Sequence, residues 1–491
     1  MSTLSIPDFV KGVKQRLIAE KQQQEQLPHI VIGNAAGDAD SIISAITLAY
    51  VKTLQQQGQQ LIVPIVSILA DDLKFLRPET TFLLKDCAGM DNIKDDVNDL
   101  IAIDQIDELL PSSKATLTLV DHNYNQRQEQ QSQWTVTEIV DHHLDEEKHV
   151  DTCPPKQRNI AFENSKALVA SCATLVVEQF YNNNNDDGTT CTTKTNMHPT
   201  LAGRYDVHNI CVAAAVAVIA VSVVVTTSIV AYHKHFFTLS LSLCVMRVYF
   251  SSFKSIITTI INIQLFSRTQ HKVLLLGVIL IDSVNMSEKV GKGTPRDLVA
   301  LQQLLDDTDW TQIKLPDEIL LGNNSINRPD RTKFFNHLQD LKFSSEFWNG
   351  LTSEQAIRMD YKSFSTFGLS SILLDMTDFF NNNKESILPS VEKVIRENQL
   401  ELFGMMFCTD DDDNKFKREL AFASTSKVTM DRLVKYLTEG NTTPNLQVEV
   451  VHEEEVKTTT TTLYIVRMKQ GNVKASRKQV APILSEFFQI K

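Results

Sequence analysis

Four acidic clusters, each placed directly after a short apolar run, constrain this chain more than any other feature. Asn34-Ala35-Ala36-Gly37-Asp38-Ala39-Asp40-Ser41 follows His29 to Ile32, and Asp121-His122-Asn123 follows Leu117 to Val120. Asp141-His142-His143 follows Ile139 and Val140, and Asp282 closes Leu274 to Ile281. Short apolar runs bounded by turn residues read as buried strands. In an open parallel sheet the carboxyl ends of the strands share one edge, so residues distant in sequence meet in one crevice there. Convergence of Asp38, Asp40, Asp121, His142 and Asp282 would make an oxygen-rich cluster with one imidazole, a set suited to a hard or borderline divalent ion such as Mn or Mg. Without cations, so many carboxylates in one pocket would be costly.

Plainer roles exist for several of these residues. Asp38 and Asp40 precede a helix expected from Ser41 and could simply cap its free amide hydrogens. His122 reads equally well as a packing or supporting histidine.

The chain has 491 residues and is 42% hydrophobic, enough for two domains. Its formal net charge of −12 argues against general binding to nucleic acid or anionic membranes. Seven cysteines without a CxxC pair suggest neither a zinc site nor a disulfide framework, and fit a reducing, cytoplasmic setting. Met1 to Leu27 lacks a signal-peptide layout and reads as an amphipathic helix over about Ile6 to Gln23. Ile42, Ile43, Ala45, Ile46 and Ala49 have helical spacing, and Leu61 to Leu69 reads as the next strand. This alternation predicts a parallel α/β sheet.

Taken in order, the motifs resemble the DHH phosphoesterase superfamily, specifically the eukaryotic cytosolic exopolyphosphatases and their prune-type relatives. The resemblance covers most of residues 28–180 and 272–300. It resumes at Asp360-Tyr361-Lys362 and at Ser476-Arg477-Lys478-Gln479-Val480-Ala481-Pro482, which are similar to the family's DHH-associated phosphate-binding domain. The resemblance implies two divalent cations, Mn or Mg with Co also compatible. Asp121 would bridge them, with Asn34 and Asp38 around one and Asp40, His142 and Asp282 around the other. It also implies that His143 meets the scissile phosphate or protonates the leaving oxygen, while Lys362, Arg477 and Lys478 hold phosphate groups. Singly, each of those three cations would read as a solvated surface charge. Asn34 stands where related type II pyrophosphatases carry histidine, which points away from pyrophosphatase.

The expected protein is therefore a monomeric two-domain α/β phosphohydrolase with its active site in the cleft between a catalytic domain (1–330) and a phosphate-binding domain (331–491). The polar stretch Asp306 to Arg331 marks the boundary. The expected reaction releases orthophosphate from the end of inorganic polyphosphate. Alternatives are a prune-type hydrolase of short polyphosphates, nucleoside tetraphosphates or cyclic nucleotides, a type II pyrophosphatase, and a catalytically silent scaffold. In so acidic a chain, bound cations and a few local basic residues must invert the potential that a polyanion meets.

Residues 182–270 form an atypical insertion between the third and fourth motifs. Ile210 to Tyr232 is uncharged over about one bilayer-spanning length. A membrane span, an inserted loop and retained intron sequence are all open origins. A membrane span is the least consistent with two flanking motifs that belong to one sheet. The acidic run Asp410 to Asp413 lacks EF-hand spacing and reads as a solvated turn.

Overall fold

The computed structural model describes residues 4–20, 27–56, 59–94, 99–110, 114–124, 134–164, 166–182, 269–313, 315–321, 328–364, 366–382, 384–410, 415–440, 442–458 and 460–489. Residues 183–268 of the insertion, with its apolar run, lie outside the described residues, as does nearly all of the acidic run Asp410 to Asp413. One unit of the fold comprises residues 1–178 and 268–491. All that follows concerns that unit.

The amino-terminal lobe is built on a five-stranded, wholly parallel sheet. Its strands are β1 (His29–Ile32), β2 (Ile62–Ile65), β3 (Ala115–Val120), β4 (Trp134–Asp141) and β5 (Arg158–Ile160), in the order β2-β1-β3-β4-β5. The chain leaves β1 toward β2 and returns on the other side of β1 to form β3. Loops on either side of such a reversal part, and the crevice they leave is the usual ligand position in this architecture. In register, Ile32 lies beside Leu119 and Val120 beside Val140, so the segments that follow β1, β3 and β4 emerge at one edge. β1 and β2 are buried throughout, as strands covered on both faces must be. A ribbon of β6 (Phe162–Glu163) and β7 (Lys166–Ala167) follows.

One expected strand is a helix. Leu274 to Ile281 belongs to the helix Thr269–Asp282, which packs on the helix Ala39–Gln55. A continuously apolar run has no polar face to reveal its period, so a buried helix and a buried strand look alike in sequence. Val273 to Leu276 and Val278 to Leu280 are completely buried. Gly277 sits where a Cβ would collide with Leu83, so the absent side chain permits the close approach. The expected strand Leu61 to Leu69 is shorter, at Ile62–Ile65.

The carboxyl-terminal lobe holds a six-stranded mixed sheet. Its strands are β8 (Tyr361–Ser363), β9 (Phe367–Ile372), β10 (Leu402–Asp410), β11 (Phe416–Ser424), β12 (Val448–Lys457) and β13 (Thr462–Gln470), in the order β12-β13-β11-β10-β9-β8. Strand periodicity divides β10 between two cores. Phe403, Met405 and Phe407 join Phe379, Ile387 and Val391 on one face. Leu402 and Met406 join Leu433, Val480 and Leu484 on the other.

Helix Arg331–Phe343 packs on the helices Pro78–Phe82 and Thr269–Asp282, although it follows the polar stretch expected to separate the domains. Among the described residues, no helix is long and apolar enough to cross a membrane.

Candidate metal centre and phosphate-binding segments

The loop after β1 is shaped by glycine. Gly37 has φ +53, a left-handed conformation, and a Cβ there would strike Ile68. Asp38 then caps the helix Ala39–Gln55, accepting from the Ser41 amide at 3.0 Å. Its capping role is thus real, and its charge also acts on Asp40, Asp121 and Asp282. Asn34 donates through Nδ2 to Asp121 Oδ2 at 2.6 Å, while its Oδ1 accepts from the Ala36 amide at 2.8 Å. In this arrangement Asn34 orients Asp121 and its oxygen holds the loop.

Asp121 is the centre of the cluster. It leaves β3 with φ 63, a region that Asp tolerates better than most residues, and its amide donates to Val140 O at 2.9 Å. Only 3% of it is exposed. Oδ2 accepts from Asn34 and from Ser41 Oγ at 2.7 Å, and Oδ1 faces His142 Nε2 at 3.2 Å. Burial, reinforced by the charge of Asp40, pushes its carboxyl up to about 7.

The two histidines after β4 are held differently. His142 Nδ1 lies 3.2 Å from Val169 O, an atom that only accepts, so Nδ1 carries the proton and Nε2 is turned to Asp121 and, at 3.8 Å, to Asp40. A backbone carbonyl behind one ring nitrogen is the usual support of a metal-binding histidine. Burial lowers the His142 pKa, but the hydrogen bond to Asp121 and the charges of Asp40 and Asp121 overcome it, to about 10. His143 places Nδ1 2.8 Å from Asp141 Oδ1, and that contact raises its pKa. Its side chain is 57% exposed, whereas Asp141 is fully buried. Asp141 also accepts from the His142 amide at 2.7 Å and from Asn123 Nδ2 at 2.6 Å. Ligand atoms of Asp121, His142 and His143 all lie within 4.8 Å of one another.

Asp40 is clasped by the first turn of the helix Cys172–Asn182. It accepts from the Cys172 amide at 2.7 Å, the Ala173 amide at 2.9 Å, Ser171 Oγ at 2.9 Å and Ser44 Oγ at 3.0 Å. Burial still raises its pKa, with Asp38 adding to the effect. Asp282 arrives from the C-terminal end of a helix, where the helix dipole disfavours a carboxylate. Burial and the charges of Asp40 and Asp38 raise its pKa well above normal, and its buried Oδ2 has no hydrogen-bond partner.

These features fit divalent cations. A buried carboxylate oxygen lacking a donor and carboxylates that raise one another's pKa are each relieved by a positive ion, which would also take the place of the proton on the imidazole Nε2 that faces Asp121 and Asp40. The donors are oxygen with one or two imidazoles, as hard or borderline metals prefer. His122 stands apart: its Nδ1 bonds Val120 O at 2.9 Å and burial lowers its pKa.

The carboxyl-terminal cations are not joined to this cluster by any hydrogen bond or ion pair among the described residues. Lys362 on β8 and Lys478 on the helix Arg477–Gln489 are exposed. Arg477 grips Asp360, donating to its backbone oxygen at 2.6 Å and to Oδ1 at 2.8 Å.

Several contributors were missed from sequence. Asp141, which orients His143, could have been found from its place directly before the histidine pair. Ser41, Ser171 and Arg77 carry no such signal. Arg77 is 7% exposed and binds the motif-one loop at Ala36 and Gly37.

The DHH family N-terminal domain matches residues 29–202 and the DHHA2 domain matches residues 339–487. Exopolyphosphatase PRUNE1 of Homo sapiens is 24% identical over 486 residues, covering 98% of this chain and 78% of that protein. Its Bos taurus counterpart is 26% identical over 471 residues, covering 94% and 76%. A Methanococcus jannaschii protein described as a family II inorganic pyrophosphatase has a TM-score of 0.46 at 17% identity, over 94% of this chain and 99% of that one. The chain belongs to the DHH phosphoesterases, with an amino-terminal DHH domain and a carboxyl-terminal DHHA2 domain.

Proposed function

We propose that the protein is a metal-dependent exopolyphosphatase that removes the terminal phosphate of inorganic polyphosphate as orthophosphate. The observation that carries this reading is the cluster in which Asp121 meets His142 at 3.2 Å beside Asp40, with Asp282 Oδ2 buried and unpartnered. The names of the curated relatives support the choice of substrate. Residues 1–330 would form the catalytic domain and 331–491 the phosphate-binding domain.

Asp38, Asp40, Asp121, His142 and Asp282 would hold two divalent cations, Mn or Mg. Bound there, such ions supply an activated water at neutral pH and neutralise charge on the phosphoryl oxygens. Asn34 and Ser41 keep Asp121 in its orientation by donating to the same oxygen. His143, fixed through Nδ1 by Asp141 in a contact that raises its pKa, would deliver a proton to the departing phosphate oxygen. Arg477 offers a planar fork to two oxygens of the phosphate chain, and Lys362 and Lys478 hold it as point charges.

The test is phosphate release from long-chain polyphosphate, pyrophosphate and cyclic AMP by chelated protein with Mn or Mg restored. Release from long chains at least matching that from pyrophosphate is expected. Preference for pyrophosphate or a cyclic nucleotide would replace the substrate, and no release from any would leave a silent scaffold.

A further inference from the structure

We propose that Arg77 is a positioning residue that locks the metal-binding loop to the phosphate-binding segment, so that one buried guanidinium sets where Arg477 stands relative to the metal centre. The inference rests on the roles proposed above for those two regions.

Arg77 separates the helices Ala70–Leu76 and Pro78–Phe82, with φ −135 and ψ 63. Nε donates to Gly37 O at 2.6 Å and Nη2 to Ala36 O at 2.6 Å. Nη1 donates to Leu76 O at 2.8 Å and to Met359 O at 2.9 Å. All four oxygens are backbone carbonyls, so the guanidinium fixes the course of two chain segments and not the rotamer of a side chain. Ala36 and Gly37 immediately precede Asp38. Met359 immediately precedes Asp360, which holds Arg477 through both its carbonyl and its carboxylate. The link therefore runs from the motif-one loop through Arg77, Met359 and Asp360 to Arg477.

A second strut lies alongside. Arg358 pairs with Asp72 on the helix Ala70–Leu76 and with Glu354 at 3.0 Å, anchoring the same segment. A guanidinium that cannot lose its charge is costly to bury unless its donors are satisfied in a fixed plane. Lysine offers three donors from one point and cannot span carbonyls on two segments in the same way.

A double-mutant cycle tests the idea, read as KM for long-chain polyphosphate and, independently of turnover, as calorimetric affinity for inorganic tripolyphosphate in the full-length protein. Arg77→Lys is expected to weaken both by about tenfold, the scale of one or two lost charge-assisted hydrogen bonds. In an Arg477→Ala background the same change should cost less than about twofold, because its effect passes through Arg477. Asp360→Ala, at a half-exposed position that should not affect folding, removes the carboxylate half of the same link while leaving the Asp360 carbonyl bond to Arg477, and should likewise be non-additive with Arg77→Lys.

Full additivity in both backgrounds, or lowered thermal stability with unchanged KM and affinity, would overturn the proposal. If the unaltered protein binds tripolyphosphate without turning it over, the exopolyphosphatase reading fails while the binding cycle still decides the role of Arg77. Failure to bind it at all overturns both.

Discussion

Replacing Asp121 with asparagine changes almost no volume and removes one charge from the centre of the cluster, so it separates what this carboxylate does for the fold from what it does for a metal. In chelated protein two effects oppose. Burial and Asp40 push Asp121 up to about 7 from 3.8, so keeping it ionised above neutral pH costs about 4 kcal/mol at 1.36 kcal/mol per unit, and the amide removes that cost. Asp121 is also a main support of protonated His142, which it and Asp40 hold near 10, a gain of similar size that is partly lost. Both figures contain the same 3.2 Å contact, so neither counts in full, and the net change should be within about 2 kcal/mol. The local hydrogen bonds survive: the amide oxygen accepts from Asn34 and Ser41, and the NH2 group turns to His142 Nε2. In a chain this long, chelated Asp121→Asn should melt within a few degrees of the unaltered protein. Metal should act quite differently on the two. A ligand at 100 times its Kd adds about 2.7 kcal/mol to the folded state, and an amide in place of the central carboxylate should abolish this for Mn or Mg. The assay is thermal unfolding with and without each metal, together with metal content and phosphate release. A variant that keeps both the metal-induced rise in Tm and its turnover would refute the metal assignment. A chelated variant that loses more than about 10 °C would make Asp121 chiefly a structural ion-pair partner.

The direction of the cluster's pKa shifts sets its contribution to the pH response of chelated protein, while the lowered pKa values of His29, His122 and Lys272 act in the opposite sense. Asp40, Asp121, Asp282 and His142 are all raised, so the folded state binds more protons than the unfolded one. That stability is fully present below the unfolded values of 3.8 and 6.5 and is lost as pH rises through about 7 for Asp121 and about 10 for His142. Calorimetric Tm should fall from pH 5 to pH 9, and the rise on adding Mn should grow across the same range as protons are displaced. A flat or rising Tm in chelated protein would contradict the cluster's electrostatics. Gly37→Ala should lose about 1–3 kcal/mol through its left-handed backbone and the collision with Ile68, and should weaken metal binding through the displaced Asp38; unchanged Tm and metal affinity would count against the loop's role. Arg477→Ala should raise KM for polyphosphate by on the order of 10- to 100-fold with kcat less affected, whereas unchanged kinetics with lowered Tm would make it a structural arginine.

What was legible in the sequence was the chemistry attached to strand ends. β1, β3 and β4 are short apolar runs closed by turn residues, so Asn34, Asp121 and His142 could be assigned to one edge before any coordinates. Asp282 was assigned to that edge by way of a strand that does not exist; it reaches Asp40 from a helix end, because a fully apolar run conceals its period. The clasp of Asp40 by Ser171, Cys172 and Ala173 could not be read, since it joins residues more than 130 positions apart through one hydroxyl and two backbone amides of a kind that every sequence possesses. The engagement of Arg477 by Asp360 was hidden by their separation of 117 positions, although each lies in a recognisable motif.

The contact between Arg77 and Met359 spans 282 positions, which bears on how the protein is made. During synthesis the parallel sheet and the motif-one loop are complete long before residue 359 leaves the ribosome. Until then the Arg77 guanidinium lacks its last carbonyl, and Asp360 and Arg477, 117 positions apart, have yet to meet. Contacts of such separation close late and slowly. On the roles proposed for these residues, the nascent chain would gather its acidic cluster before Arg477 is held, so the ability to hold a metal would precede the ability to hold a substrate. Carboxyl-terminal truncations should therefore yield metal-binding proteins that have no grip on polyphosphate.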